Sequence, residues 1–566
     1  MKVSGARIII ECLIEEGVDT VFGIPGSSVL HIYDELYSQK HRIRHILVSH
    51  EQHAAHAADG YARSSGKTGV CLATSGPGAT NLVTGIATAA IDSVPIVIIT
   101  GNVSVPLLGK DSFQEVDIAG ITLPIVKHNW IVKDVKDLAG VIKEAFITAR
   151  SGRPGPVLID IPKDVTAALC EWDRDMPDLS NVRAKRLIKR YERETFTASD
   201  IERAADVIAA ARYPVIYAGG GVILSGASGQ LRELAELLNA PVALSLMGMG
   251  AIPHDHRLCT GMIGMHGTAA SNKAVQKSDL LIAAGARFSD RVTSQVEKFA
   301  RNAKILHIDI DPAEINKNVR SDVHVSGDLK AVLSGILKML PKNIETMWKN
   351  EIGQWKSIIP LDNHRKTTLH PRFIIQKTAE VLGDTAIAVT DVGQHQIWTA
   401  QFFPFTHSRS FISPGGMGAM GFGLGAAMGA KIANPQKPVV LFTGDGSFRM
   451  NSSEMATLVR YGLPVLIIIF NNSALGMVRQ WQHFFYGSRY SETDLENRGP
   501  DFVKLAGAYG VAACRANTGD FFLTALEKSM KELNSGKTAL IEAIIEKDER
   551  VLPMVPGGKP IDEQIM

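Results

Sequence analysis

The chain has 566 residues, too many for one hydrophobic core, so two to four domains are expected. Apolar residues at 45% and charged residues at 21%, with a formal net charge of +2, describe an ordinary globular protein and give no electrostatic case for nucleic acid or an anionic membrane. Cys12, Cys71, Cys170, Cys259 and Cys514 lack CxxC spacing, which argues against a disulfide framework or zinc site and for a reducing, cytoplasmic setting.

Residues 6–16 read as an amphipathic helix, in which Glu11, Glu15 and Glu16 break the apolar run in a way a signal peptide does not. No later apolar run reaches membrane-spanning length. Stretches 21–26, 69–73, 95–100 and 157–162 read as buried strands ending in Gly or Pro turns, separated by helical patterns. A polar stretch from 173 to about 200, with a basic cluster at 183–193 and acidic residues interleaved, reads as a solvated linker. A second α/β pattern follows, with strands at 215–218, 280–284 and 305–310. Another polar linker spans about 341–371. The third unit has strands at 386–390, 439–443, 464–470 and 539–545. The expected fold is α/β, with three doubly wound parallel-sheet domains at 1–175, 195–340 and 370–548, then a surface arm at 549–566. The first and third units share a coarse plan, as an old duplication would leave.

The stretch 444–477 carries the strongest chemical signal. A buried strand runs into Gly444-Asp445-Gly446, and a crossover leads to a second buried strand ending on Asn471-Asn472. This βαβ unit brings Asp445 and Asn472 to the carboxyl edge of a parallel sheet, where open α/β sheets bind ligands. A carboxylate plus an amide oxygen on glycine-relaxed backbone suits a hard divalent cation holding phosphate oxygens. An ordinary crossover is the plain alternative, and the paired asparagines weigh against it.

Further along, Ser49 to His56 puts three histidines and Glu51 in one helix-like stretch. The spacing of His50 and His53 is three rather than the four of a zinc-protease helix. A polar helix start or a lone carboxylate on a strand-to-helix turn are the other readings. Thr74 to Asn81 is a Gly/Pro turn of generic phosphate-loop type, and Asp111 to Glu115 reads as a surface loop. Gly219-Gly220-Gly221 follows a strand and could take a dinucleotide pyrophosphate, although it does not fit GxGxxG. Asp309 follows a strand as a ribose-binding acid does.

The GDG-to-NN signature resembles that of thiamine diphosphate (ThDP) enzymes, and the continuation Leu475-Gly476-Met477 to Trp481-Gln482 resembles the catalytic subunit of the biosynthetic acetohydroxyacid synthase family. VSHEQHAAHAADGYAR, SGPGATN, DSFQE, PKDV, GMHG and RYSETDL are similar to further family segments in all three domains. FAD-free catabolic acetolactate synthases lack GMHG and the Arg287-x-x-Asp290-Arg291 frame, although Ser289 and Ser294 stand where that family usually has Asp and Gly.

The resemblance implies pyrimidine, central FAD-associated and diphosphate domains. Glu51 would hydrogen-bond N1′ of the cofactor's aminopyrimidine, with Pro77 and Asn81 on that side and with Gln114 and Lys163 as further catalytic residues. Gln394, His395, Gly418, Met420, Gly444, Asp445, Gly446, Ser447, Asn472, Leu475, Gly476 and Met477 would bind the rest of ThDP. Asp445, Asn472 and the Ala474 carbonyl would hold Mg2+. Structural FAD would lie along Arg153, Gly219, Gly220, Gly264, Met265, His266, Gly285, Arg287, Asp290, Asp309 and Asp328. Phe113, Arg291 and Trp481 would meet substrate.

The implied reaction decarboxylates pyruvate and joins the two-carbon unit to pyruvate or 2-ketobutyrate, opening branched-chain amino-acid synthesis. The active site would be shared between chains of a homodimer or homotetramer, with a possible small regulatory subunit. A pyruvate-oxidase type, a plain decarboxylase and a nucleotide-binding regulatory module are the rival readings.

Overall fold

The computed structural model describes residues 2–172, 195–358, 369–496 and 499–566. The expected basic linker segment 183–193 lies outside these residues, as do positions 359–368 of the second linker. Three six-stranded sheets form, and every pairing within them is parallel. Their central strands, such as Leu466–Asn471 and Leu280–Ala284, are mostly apolar runs because helices cover both faces.

The first sheet has the spatial order Arg44–Leu47, Thr20–Gly23, Gly69–Ala73, Ile96–Asn102, Val157–Pro162, His128–Ile131. The third runs Phe411–Ile412, Ile387–Thr390, Val439–Gly444, Leu466–Asn471, Ala539–Ile544, Ala512–Ala516. Counted along the chain, both sheets have the same order, second-first-third-fourth-sixth-fifth, so the shared plan expected from sequence extends to topology. The middle sheet differs. Its order is Cys259–Met262, Val242–Leu244, Pro214–Ala218, Leu280–Ala284, Lys304–Asp309, Val323–Ser326, the third-second-first-fourth-fifth-sixth arrangement of dinucleotide-binding sheets.

The first and third sheets dock through two small-residue helices. Glu51–Ser65 forms because it is alanine-rich, is capped at its start by the His50 ring accepting from Gln52 N, and stops at Gly66 in the left-handed region (φ 77°). It lies against Gly423–Ala433 so closely that a Cβ on Gly429 would collide with the Ala57 carbonyl and come within 2.8 Å of Tyr61 N. One continuous core joins these two domains, from Ala54 and Ala58 to Phe422 and Ile467. Another core joins the middle and third domains.

Two expectations change. The 549–566 segment is not a loose surface arm: Val551, Met554, Val555 and Ile561 are buried, and Val555 N donates to Met265 O at 2.8 Å. Its apolar side chains alternate with Pro and Gly, so composition hid them. In the second linker, Trp348 is buried and its indole N–H donates to Pro214 O at 2.8 Å, so that part belongs to the middle domain. Among the described residues no helix is long and apolar enough to cross a membrane.

Candidate active site

Val439–Gly444 and Leu466–Asn471 are adjacent parallel strands, with Gly444 opposite Phe470. That register sends Asp445 and Asn472 off neighbouring strand ends. Asp445 is buried, and desolvation pushes its carboxyl up to about 7 despite the opposing effect of Arg449. An ionised carboxylate in that place calls for a cation. Asn472 Oδ1 accepts from Ala474 N at 3.3 Å, while its Nδ2 donates to Gln394 Oε1 at 3.2 Å. These bonds fix the amide with its oxygen toward the 472–474 turn. Among the described residues no three His, Cys, Asp or Glu side chains cluster as a metal site. A cation here would therefore rest on one carboxylate, an amide oxygen, the Ala474 carbonyl and oxygens of a bound phosphate. That oxygen-only, incomplete set fits Mg2+.

His395 lies beside this turn. Burial holds its ring neutral, with a pKa of about 3, and its Nε2 is buried without a hydrogen-bond partner among the described residues. Ser447 Oγ donates to Val392 O at 2.7 Å, tying the turn after Asp445 to the next strand end. A Cβ on Gly446 would lie 2.6 Å from Leu475 Cδ2, so any larger residue would have to displace the Leu475 side chain. Segment 493–495 covers the turn, since Leu475 N donates to Thr493 O and Leu495 N to Ser473 O.

His395, Asp445, Gly446, Ser447, Asn472 and Ala474 border one cavity of about 980 Å³, which continues into the middle domain. Gln394, Met420, Gly444, Gly476, Met477 and Trp481 line it on the third-domain side. At the middle sheet's switch point, Gly219 N donates to Ala284 O and Gly221 N to Gly285 O, both at 3.0 Å. A Cβ on Gly221 would sit 2.7 Å from the Gly285 Cα, so these glycines allow two strand ends to meet. Gly220 faces the same cavity.

Arg287, Asp290, Asp309 and Asp328 also line it. Burial raises the Asp309 carboxyl. Arg153 reaches across from the first domain and pairs with Glu314 at 2.8 Å and Asp311 at 3.2 Å. Met265 and His266 border the cavity, the latter with Nδ1 3.0 Å from Pro553 O, while Gly264 stands behind them with φ 103° against the Arg291–Val292 backbone. Arg291 lies over the Trp481 ring at 5.9 Å. A long cavity over a dinucleotide-type sheet, with glycine strand ends and cationic arginines, fits an extended dinucleotide such as FAD.

A second cluster forms elsewhere. Glu51 is buried, accepts from Asn81 Nδ2 at 2.9 Å through Oε2, and has Oε1 3.4 Å from where a Cβ on Gly78 would lie. Gln114, held at φ 60°, lies against Gly76, next to Pro77. The structure thus brings Glu51, Pro77, Asn81 and Gln114 together, and none of them lines the large cavity. Phe113 is 87% exposed, Lys163 is half-buried at the start of the Lys163–Ala167 helix, and Gly418 (φ 64°) has open space at its Cβ position; these three also lie outside the cavity. Sequence reading missed Leu246, Met247 and Glu314 as lining residues. The only available signal for the first two was a Gly-x-Gly turn after the three-residue strand Val242–Leu244.

Both clusters fall within regions matched by comparison with known proteins. The profile "Thiamine pyrophosphate enzyme, N-terminal TPP binding domain" matches residues 3–121, the central-domain profile matches 201–336 and the C-terminal TPP binding domain profile matches 391–543. The chain is 48% identical over 566 residues to the probable acetolactate synthase large subunit of Methanocaldococcus jannaschii, covering 98% of this chain and 94% of that protein. It is 47% identical over 575 residues to acetolactate synthase of Mycobacterium leprae, covering 99% and 90%. The chain belongs to the acetolactate synthase large-subunit family. The acetolactate synthase large subunit of Porphyra purpurea is 45% identical over 565 residues, covering 98% and 94%. In this acetolactate synthase family member the N-terminal match contains the whole Glu51 cluster, and the C-terminal match contains Asp445, Asn472 and Trp481.

Proposed function

We propose that the chain catalyses the acetolactate synthase reaction, in which pyruvate loses carbon dioxide and the remaining two-carbon unit joins a second pyruvate or 2-ketobutyrate. The observation that carries this reading is the pairing of a buried, amide-held Glu51 with a separate, cation-seeking Asp445–Asn472 turn. Bound ThDP supplies a thiazolium that accepts the electron pair released on decarboxylation.

The chain's own residues do the rest. Glu51, oriented by Asn81, exchanges a proton with the aminopyrimidine N1′. Asp445, Asn472 Oδ1 and the Ala474 carbonyl would hold Mg2+, and the neutral His395 Nε2 with the backbone at Gly444–Ser447 would offer polar groups to the cofactor's phosphates. Met420 and Met477 keep that wall apolar, and Arg291 beside Trp481 offers a cation to a keto-acid carboxylate. FAD would lie along Gly219–Gly221, Gly285–Arg287 and Asp309 as a structural group, since the net reaction has no redox step.

The Glu51 cluster does not border the Asp445 cavity within one chain, which supports a homodimer or homotetramer in which a second copy supplies it. The relatives' designation as large subunits supports a small regulatory partner. Five free cysteines, four of them buried, suit a cytoplasmic enzyme.

The test is to supply pyruvate with ThDP, Mg2+ and FAD and to assay acetolactate, with and without 2-ketobutyrate. Acetolactate without flavin bleaching is expected. Acetaldehyde as the sole product, or pyruvate-dependent bleaching of FAD, would overturn the assignment.

A further inference from the structure

A carboxylate that belongs to neither cluster connects them. Glu454 ends the short turn Ser452–Glu454, which lies three residues after the Asp445–Phe448 segment. It is fully buried, and its Oε1 accepts from Ser49 N at 2.8 Å, from His50 N at 3.2 Å and from the His53 ring at 2.9 Å. Its Oε2 accepts from Thr457 Oγ1 at 2.7 Å, so the carboxylate cannot swing freely. Ser49 Oγ adds a bond to Ser453 O at 3.2 Å.

The three partners of Oε1 bracket Glu51 in the sequence, two just before it and one just after. Capping a helix for stability needs one acceptor near its first turn. Here the acceptor comes from another domain and pins the backbone on one side of Glu51 and a side chain on the other. Asn451, in the same stretch, donates to Asp391 at 3.1 Å, which ties it to the floor of the Asp445 turn.

We propose that Glu454 is a positioning residue for Glu51: the segment that carries Asp445 also sets the register of the catalytic carboxylate. The idea rests on the acetolactate synthase reading for the role of Glu51. It goes beyond that reading by making the Asp445 segment a structural support of the Glu51 turn in the same chain.

The test compares Glu454→Ala and Glu454→Gln with the parent in the full-length protein loaded with ThDP, Mg2+ and FAD. Four quantities are read: kcat and KM for pyruvate, ThDP affinity, exchange of the cofactor C2 proton with D2O, and amide exchange at Ser49 and His50 in the cofactor-free protein. A displaced catalytic group costs on the order of 100-fold, so Glu454→Ala is expected to lower kcat and C2-proton exchange together by about that factor. KM and ThDP affinity should stay within about threefold, and the two amides should exchange at least about tenfold faster, because binding contacts are untouched while the local opening is eased. Glu454→Gln keeps an oxygen for the backbone N–H groups and should recover to within about tenfold of the parent.

A merely structural Glu454 would lower Tm and yield while leaving C2 exchange per folded site unchanged, and that result overturns the proposal. Equal inactivity of Glu454→Gln and Glu454→Ala with normal amide protection also overturns it. If Glu454→Ala cannot be purified, Glu454→Asp, which withdraws the carboxylate by one carbon, carries the same expectation and the same overturning result. A parent that exchanges the C2 proton but forms no acetolactate would refute the functional reading alone.

Discussion

The Glu51 carboxylate accepts a hydrogen bond from the Asn81 side-chain amide at 2.9 Å, in a pocket closed by the Gly76–Gly78 turn. One oxygen is held, and the other faces that turn. Glu51→Gln keeps the shape but cannot take up a proton, so turnover should fall by at least about 1,000-fold while ThDP still binds. Asn81→Ala leaves the carboxylate intact but unaimed, and a loss of about tenfold in kcat is expected. Steady-state assays with parallel ThDP titrations check both. Near-normal turnover in Glu51→Gln would remove Glu51 from the chemistry.

Asp445 gives a prediction about the protein without its cofactors. Burial lifts its carboxyl from 3.8 to about 7, so the folded state binds the proton more tightly than the unfolded chain. Stability contributed by the protonated form is then lost as pH rises from about 4 to about 7, by at most about 4 kcal/mol. Asp445→Asn should raise the Tm of the cofactor-free protein at pH 8 and leave it nearly unchanged near pH 4. The same variant should need at least about 100-fold more Mg2+ to bind ThDP, because a neutral amide replaces the single carboxylate of the site. Thermal scans at the two pH values and Mg2+ titrations separate the two effects.

The buried imidazoles act with the opposite sign. Burial lowers His45 and His266 to about 4 and His56 and His395 to about 3, against an ordinary 6.5. The unfolded chain therefore takes up protons first as pH falls, and stability present above pH 6.5 is lost progressively down to about pH 4. Among the described residues His56 Nδ1 has no partner, and its Nε2 meets the Gln52 amide at 3.3 Å. His56→Asn should make the fall of the unfolding midpoint between pH 6.5 and 4 shallower by about one proton's worth of slope. An unchanged slope would mean that His56 is solvated or already charged in the native state.

Long, doubly buried strands were legible in the sequence. Gly69–Ala73, Val157–Pro162 and Leu280–Ala284 match their apolar runs residue for residue. Short edge strands such as His128–Ile131 and Ala512–Ala516 were not, because they are partly exposed and carry polar residues in no clear alternation. Asp445 and Asn472 could be placed from one local βαβ unit, since register alone brings them together. Glu454 could not: its partners lie about 400 residues away in sequence and come near only when two domains dock. The tail was misread for a related reason, since its apolar residues bury against a domain that local pattern does not reveal.

Docking of the first and third domains predicts a pair of glycine substitutions with opposite outcomes. At Gly429 a methyl group would strike the Ala57 carbonyl, so Gly429→Ala must push two helices apart and should cost at least about 1–3 kcal/mol. At Gly507, within the Phe502–Ala508 helix, nothing lies within 4 Å of the Cβ position. Gly507→Ala should stabilise by about 0.5–1 kcal/mol, through helix propensity and a less disordered unfolded chain. Denaturant unfolding of the two variants measures the difference, and Gly429→Ala should also lose activity because the Glu51 helix shifts.

The closing segment ties the middle-domain side of the cavity together, and removing it tests that role. Val551, Met554, Val555 and Ile561 are each no more than 1% exposed, and Asn272, beside the Gly264 turn, donates to Ile561 O at 2.7 Å. His266 meets Pro553 O, and Gln401 donates to Leu552 O at 3.1 Å, so the segment bridges the middle and third domains. Truncation after Arg550 would expose four apolar side chains worth about 1.5–3 kcal/mol each when fully buried. It would also remove the acceptor of the His266 ring and one of the two acceptors of the Asn272 amide, which keeps Gly264 O. The expected result is a lower Tm and at least about tenfold weaker FAD binding, since the Met265–His266 turn loses its support. Flavin fluorescence during FAD titration reads this directly. Unaltered FAD affinity in the truncated protein would show that the segment stabilises the fold without shaping the middle-domain side of the cavity.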